Sequence, residues 1–152
     1  MATIRGFEFP DALYYLIAHD TWARRDDDGS VTVGLTALGV HISGEFIEFV
    51  PKPVGTAIER DRSFGVLEIS KVIRSARSPL GGTIVAVNGD VRARASLINE
   101  DPYGRGWLVR MRPHAFDEDA RQLVTGAAIP PAVETYMQLL AEQFGASPPA
   151  RT

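Results

Sequence analysis

The chain has 152 residues, enough for one domain with its own core, and 45% of them are hydrophobic, as in an ordinary soluble globular protein. A formal net charge of −3 gives no general attraction to phosphates, so neither nucleic acid nor an anionic membrane is an expected partner. No apolar run approaches the roughly 18 residues needed to cross a bilayer, and the absence of cysteine removes disulfides, thiolate metal sites and cysteine nucleophiles together.

Residues 1–6 carry neither an apolar signal core nor a cleavage site, and the expectation is a cytoplasmic protein. Residues 24–30 form a polar turn in which Asp28-Gly29 signals a hairpin, leading into a strand over 31–35. Thr36 is placed to cap a short helical turn that runs to Ile42 and ends at Ser43-Gly44. A strand over 45–50 is broken by Pro51-Lys52-Pro53. After Gly55 a short extended piece reaches Ile58, and a charged turn over 59–62 precedes a strand over 63–70. Alternation there puts Val66, Glu68 and Ser70 on one face and Leu67 and Ile69 on the other. Lys71 follows, then a strand over 72–77, then Ser78-Pro79-Leu80-Gly81-Gly82. Residues 83–87 make another strand, stopped by Asn88-Gly89-Asp90. Leu97-Ile98 precedes a turn-rich stretch over 99–106, and 107–111 alternates again.

Many short strands at this spacing predict an all-β sandwich or barrel. An echo between 44–50 and 82–88 suggests two halves related by a pseudo-twofold. Pro130-Pro131 opens a helix, and Val133, Tyr136, Met137, Leu140 and Phe144 follow at helical spacing, giving an apolar face to pack on the sheet. Gly145 ends it, so residues 1–145 are expected to form a single domain and 146–152 a frayed tail.

Chemistry-bearing residues are few. His19, His41 and His114 are far apart and follow no ligand spacing, so no metal is expected. Neither a Ser-His-Asp arrangement nor a carboxylate pair is evident, and no enzyme is expected. Of the 16 Lys plus Arg, only Lys52 and Lys71 are lysine. That contrast matters because a lysine amine can be acylated, whereas arginine keeps its proton.

Three blocks carry a family resemblance. Phe64-Gly-Val-Leu-Glu-Ile-Ser-Lys71 resembles F-G-x-V-E-S-V-K of the glycine-cleavage H proteins, in which the last lysine is lipoylated. Ser78-Pro-Leu-Gly-Gly82 leading into Val85-Ala-Val-Asn88 is similar to that family's next block. Leu97-Ile-Asn-Glu-Asp-Pro-Tyr-Gly-Arg-Gly-Trp107 nearly reproduces its L-V/I-N-x-x-P-Y-x-x-G-W. The register runs without a gap from Gly34 to Pro113.

The resemblance implies a mainly β fold, the barrel-sandwich hybrid of lipoyl and biotinyl carriers, with a C-terminal α-helix packed on it. It implies lipoate attached covalently to Lys71 at an exposed hairpin turn, with Glu68 and Gly55 as the residues read by the lipoate-attaching enzyme. Ile69-Ser-Lys-Val72 lacks the glycine, asparagine or proline of a usual turn, so local chemistry alone would not place one there. Lys52, between two prolines, fits a loop cation.

Within the resemblance two cargoes are open. Glycine-cleavage carriers place a glutamate just before the early tryptophan and an aspartate four after the lysine, which suit an aminomethyl ammonium. This chain has Thr21 before Trp22, with Asp20 one residue off, and Ser75 at the second position. Arg74 and Arg77 are expected to make the far side of the hairpin basic. The favoured expectation is therefore the second group, the lipoate-binding carriers of the bacterial heterodisulfide-reductase-like system that oxidises sulfur, with that complex as partner. The alternative is the glycine-cleavage carrier, serving glycine decarboxylase, aminomethyltransferase and dihydrolipoamide dehydrogenase. A relative without lipoate, acting as a structural or regulatory module, is the third reading.

Overall fold

The computed structural model of the chain describes residues 1–70 and 72–144. The helix stripe is described up to Leu140. The side chain of Phe144, Gly145 as the helix stop and the tail over 146–152 lie outside the described residues.

Among the described residues, eleven strands form three sheets. A hairpin of β1 (Ala2–Ile4) and β2 (Phe7–Phe9) stands apart. A six-stranded sheet takes β3 (Tyr14–Leu16), β4 (Thr21–Arg25), β5 (Val31–Leu35), β11 (Val109–Pro113), β10 (Gly82–Val87) and β7 (Ala57–Ile58) in that spatial order. A three-stranded sheet takes β6 (Phe46–Pro51), β8 (Ser63–Ile69) and β9 (Val72–Arg77), with β8 in the middle. These two sheets face each other across one core. Val33, Leu35, Ile84 and Met111 come from the larger sheet, and Phe46, Phe49, Phe64, Leu67 and Ile69 from the smaller. Strand alternation supplies that inner face, and burying such side chains stabilises by roughly 1.5–3 kcal/mol each.

Short helices close the ends. In α1 (Ala37–Ser43) the Thr36 hydroxyl accepts the Gly39 amide at 3.0 Å, and Gly44 ends the helix at φ 89°, as the sequence predicts. Asn88 does more than stop a strand: its side chain accepts the Asp90 amide and caps α2 (Gly89–Ala93). Leu97-Ile98 lies in α3 (Leu97–Glu100), and α4 (Phe116–Ala120) follows the last strand. The helix α5 (Ile129–Phe144) buries Val133 and Met137 as expected, together with Ile129. It packs on a second core with Phe7, Phe9, Tyr15, Trp22 and Leu38, so the N-terminal strands, which periodicity did not reveal, provide its seat. The echoing segments 44–50 and 82–88 supply β6 and β10, which lie in different sheets and are not hydrogen-bonded to one another.

Trp22 is the largest fully buried side chain, and its indole N–H donates to the carbonyls of Leu35 and Pro102 at 2.9 and 3.1 Å. Gly34 is its cross-strand partner, and a Cβ at that position would stand 2.5 Å from the ring. Gly34→Ala is expected to destabilise the protein by about 1–3 kcal/mol through overpacking. Urea unfolding measures this, and an unchanged midpoint would refute the close fit.

Candidate functional site

The β8–β9 hairpin is the feature around which the site is built. Its alternation is as read from the sequence: Leu67 and Ile69 are buried while Val66, Glu68 and Ser70 are exposed. Ile69 pairs with Val72, so the link between the strands is Ser70-Lys71 alone. Lys71 itself lies outside the described residues. The chain on both sides of it is open to solvent, with Val72 60% and Ile73 70% exposed. That exposure suits an acyl arm, which needs an exit from the surface rather than a pocket. The β-branched Val72 and Ile73 extend the pairing to the link, although the link holds no customary turn residue.

Glu68 stands on the outer face of β8, opposite Glu48 on one side and Ile73 on the other. Gly55 sits elsewhere, in the loop between β6 and β7. Its φ is +94°, and its amide donates to the Ile84 carbonyl of β10 at 2.8 Å. The positive φ accounts for glycine at this turn, and a Cβ there would meet nothing within 4 Å. The structure therefore joins Glu68 to the hairpin and Gly55 to the opposite sheet.

Beneath the hairpin lies a junction that the sequence does not reveal as a unit. Arg74 points inward from β9, and its guanidinium donates to Asp20 Oδ2 and Ser43 Oγ at 2.6 Å each and to the His19 carbonyl at 3.2 Å. Asp20 is 4% exposed and holds φ +62°, a left-handed conformation that aspartate tolerates better than most residues. Burial pushes its carboxyl above the ordinary carboxylate range, against the opposing pull of Arg74. Burial, and then the Asp20 carboxylate, likewise push the Tyr136 hydroxyl up. Asp20 Oδ1 and Thr21 Oγ1 are buried with no hydrogen-bond partner.

This junction corrects the expected basic rim. Arg74 is turned into the protein and paired, because its strand position faces the core side and a buried carboxylate awaits it there. Arg77 donates to the Asp61 carbonyl at 2.9 Å. With Lys52, Arg62 and Ser75 it lines a cleft of about 450 Å³ away from the hairpin tip. The three histidines are used separately: His19 meets Asp61 at 3.2 Å, His41 packs edge-on against Phe7, and His114 meets the Thr83 hydroxyl at 2.9 Å. Among the described residues no group of three or more His, Asp and Glu side chains is placed to hold a metal.

Two curled sheets around one core, a tight exposed hairpin and a C-terminal helix define a lipoyl-type carrier domain of the barrel-sandwich class. The family model described as glycine cleavage H-protein matches residues 13–136. The chain belongs to the glycine cleavage H-protein family. It is 35% identical over 131 residues to glycine cleavage system H protein 5 of Aquifex aeolicus, covering 84% of this chain and 87% of that protein. It is 38% identical over 120 residues to the glycine cleavage system H protein of Chromobacterium violaceum, covering 78% and 91%. The crystal structure of a glycine cleavage system H protein from Mycobacterium marinum superposes with a TM-score of 0.67 at 27% identity, over 90% of this chain and 99% of that one. Proteins of this family are carriers of a lysine-bound lipoate and not enzymes. No described helix is long and apolar enough to cross a membrane.

Proposed function

We propose that this chain is the cytoplasmic lipoyl carrier of glycine cleavage. Lys71 holds the lipoate in amide linkage, and the arm takes an aminomethyl group between glycine decarboxylase, aminomethyltransferase and dihydrolipoamide dehydrogenase. The observation that carries this reading is the pairing of Ile69 with Val72, which leaves a two-residue link with an acylatable side chain at the end of an exposed hairpin. Lipoate supplies a dithiol–disulfide couple at the end of a flexible arm. The chain's own part is to carry the acceptor lysine between two paired strands, to brace the hairpin through Arg74 and to offer no competing thiol. Glu68, exposed three residues before the lysine, and Gly55, held in a backbone shape that suits glycine, are proposed as marks for the lipoate-attaching enzyme. Residues 1–145 are read as one unit because both cores draw on β3 and β4, Tyr14 and Ala23 packing in the first and Tyr15 and Trp22 in the second.

The sulfur-oxidation reading loses support on two counts. The relatives reported above bear glycine cleavage names, and the basic rim that favoured an anionic cargo is reduced by the pairing of Arg74 with Asp20. The test is exchange of labelled bicarbonate into glycine by glycine decarboxylase in the presence of the lipoylated protein. Exchange that rises with carrier concentration is expected. A fully lipoylated sample that supports none would overturn the glycine role and leave the sulfur role standing.

A further inference from the structure

The outer face of the β6–β8–β9 sheet combines two features that burial and pairing leave unexplained. It gathers exposed apolar side chains: Ile47 at 56%, Val50 at 46%, Val66 at 36% and Ile73 at 70%. In the same sheet Glu48 and Glu68 stand directly opposite each other on neighbouring strands. Like charges in that position oppose sheet formation. Among the described residues no Lys, Arg or His nitrogen forms an ion pair with either carboxylate.

A bulge creates this arrangement. The register advances two residues on β6, from Phe46 to Glu48, for one on β8, from Ile69 to Glu68, so Ile47 is the extra residue. It lets Phe46 and Phe49 both face the core, and in doing so turns Glu48 out beside Glu68. The rows across the sheet are then Val50–Val66–Ser75 and Glu48–Glu68–Ile73. Two carboxylates thus lie between apolar side chains, within a few residues of the link that holds Lys71.

We propose that this face is the docking surface for the enzyme that acylates Lys71, and that Glu48 and Glu68 together receive a guanidinium or ammonium from that enzyme's rim. The proposal rests on the reading of Lys71 as the lipoylated residue. The hairpin has two faces and the inner one is packed on the core, so an enzyme reaching the link has the outer face to lean on. Charge complementarity names the occupant: two adjacent carboxylates that no described cation pairs call for a cation, and the apolar side chains around them call for an apolar collar that excludes water. A second copy of this chain would bring carboxylates against carboxylates on this face. The patch is small, as befits an enzyme that must release its product.

Glu48→Gln tests the proposal, with purified lipoate–protein ligase, lipoate and ATP as the probe and Glu118→Gln, an exposed carboxylate on α4, as control. Glu48→Gln is expected to lower kcat/KM for lipoylation about tenfold, through KM, and to flatten its salt dependence. Glu48→Asp is expected to recover part of the loss. Because the substitution relieves a like-charge contact, the unfolding midpoint is expected to stay or rise, which separates docking from a folding defect. Val66→Ser is expected to raise KM as well. A wild type that is lipoylated normally while Glu48→Gln matches it at low salt would overturn the docking proposal alone. A wild type that gains no lipoyl mass would overturn the Lys71 reading beneath it. Concentration-dependent self-association through this face, with lipoylation unchanged in Glu48→Gln, would assign the face to a second copy and equally overturn the proposal.

Discussion

Lys71→Arg is expected to gain no lipoyl mass when coexpressed with a lipoate ligase, whereas the wild type and Lys52→Arg are each expected to gain one group. The chemistry behind this is the difference between the two basic side chains. A lysine amine loses its proton near pH 10.4, so a small fraction at neutral pH is a free nucleophile that an active site can draw upon. A guanidinium stays protonated and delocalised under the same conditions. Lys52 retains an amine but lies in the Pro51–Pro53 loop beside the cleft with Arg62 and Arg77, outside any hairpin link. Because the residues flanking position 71 are exposed, Lys71→Arg is expected to change stability by less than about 0.5 kcal/mol, as surface substitutions usually do. Intact-mass spectrometry with a urea melt on each variant separates loss of the acceptor from loss of the fold. A lipoyl group found on Lys52, or retained in Lys71→Arg, would refute the attachment point.

The parts of the molecule legible beforehand are those in which one local signal dominates. Alternation over 66–70 set the two faces of β8 next to the hairpin link, and Thr36 and Gly44 bounded α1 by their capping chemistry. The N-terminal strands were not legible, because β1, β2 and β3 have three residues each and too few alternations to stand out. Arg5-Gly6, both at positive φ, turns β1 into β2, and a single glycine is a weak signal for a hairpin. Asn88-Gly89-Asp90 carries the same residue types as a turn and as a helix cap, so only the structure distinguishes the two. The outward placement of Glu48 is hidden for a different reason. Phe46-Ile-Glu-Phe49 spaces its aromatics three apart, which fits neither a flat strand nor its partner's register until the bulge at Ile47 is known. The Arg74–Asp20 pair joins residues 54 apart in sequence, and no spacing rule in one sequence encodes such a contact.

That pair carries the second large effect. Arg74→Met is expected to destabilise the protein by about 3 kcal/mol, the low end of the range for breaking a buried ion pair, because Arg74 keeps 23% of its side chain exposed. The penalty arises mainly from Asp20, which is left in the interior without a counter-charge, and the Ser43 and His19 acceptors lose their donor too. Adding Asp20→Asn to Arg74→Met is expected to restore most of the loss, since asparagine keeps the left-handed backbone preference and removes the stranded charge. A pH series on wild type and Asp20→Asn then decides which force governs Asp20. Burial raises its folded pKa above the ordinary 3.8, so the native state binds a proton that the unfolded chain has already released. The stability this contributes is present below the unfolded pKa and is lost as pH rises through the folded one. The wild type should therefore gain on Asp20→Asn as the solution is acidified from neutrality through the raised carboxyl range, the reverse of a surface carboxylate in an ion pair. If the wild type instead loses ground to Asp20→Asn on acidification, the attraction of Arg74 outweighs desolvation, and the hairpin is fastened by a fully ionised pair.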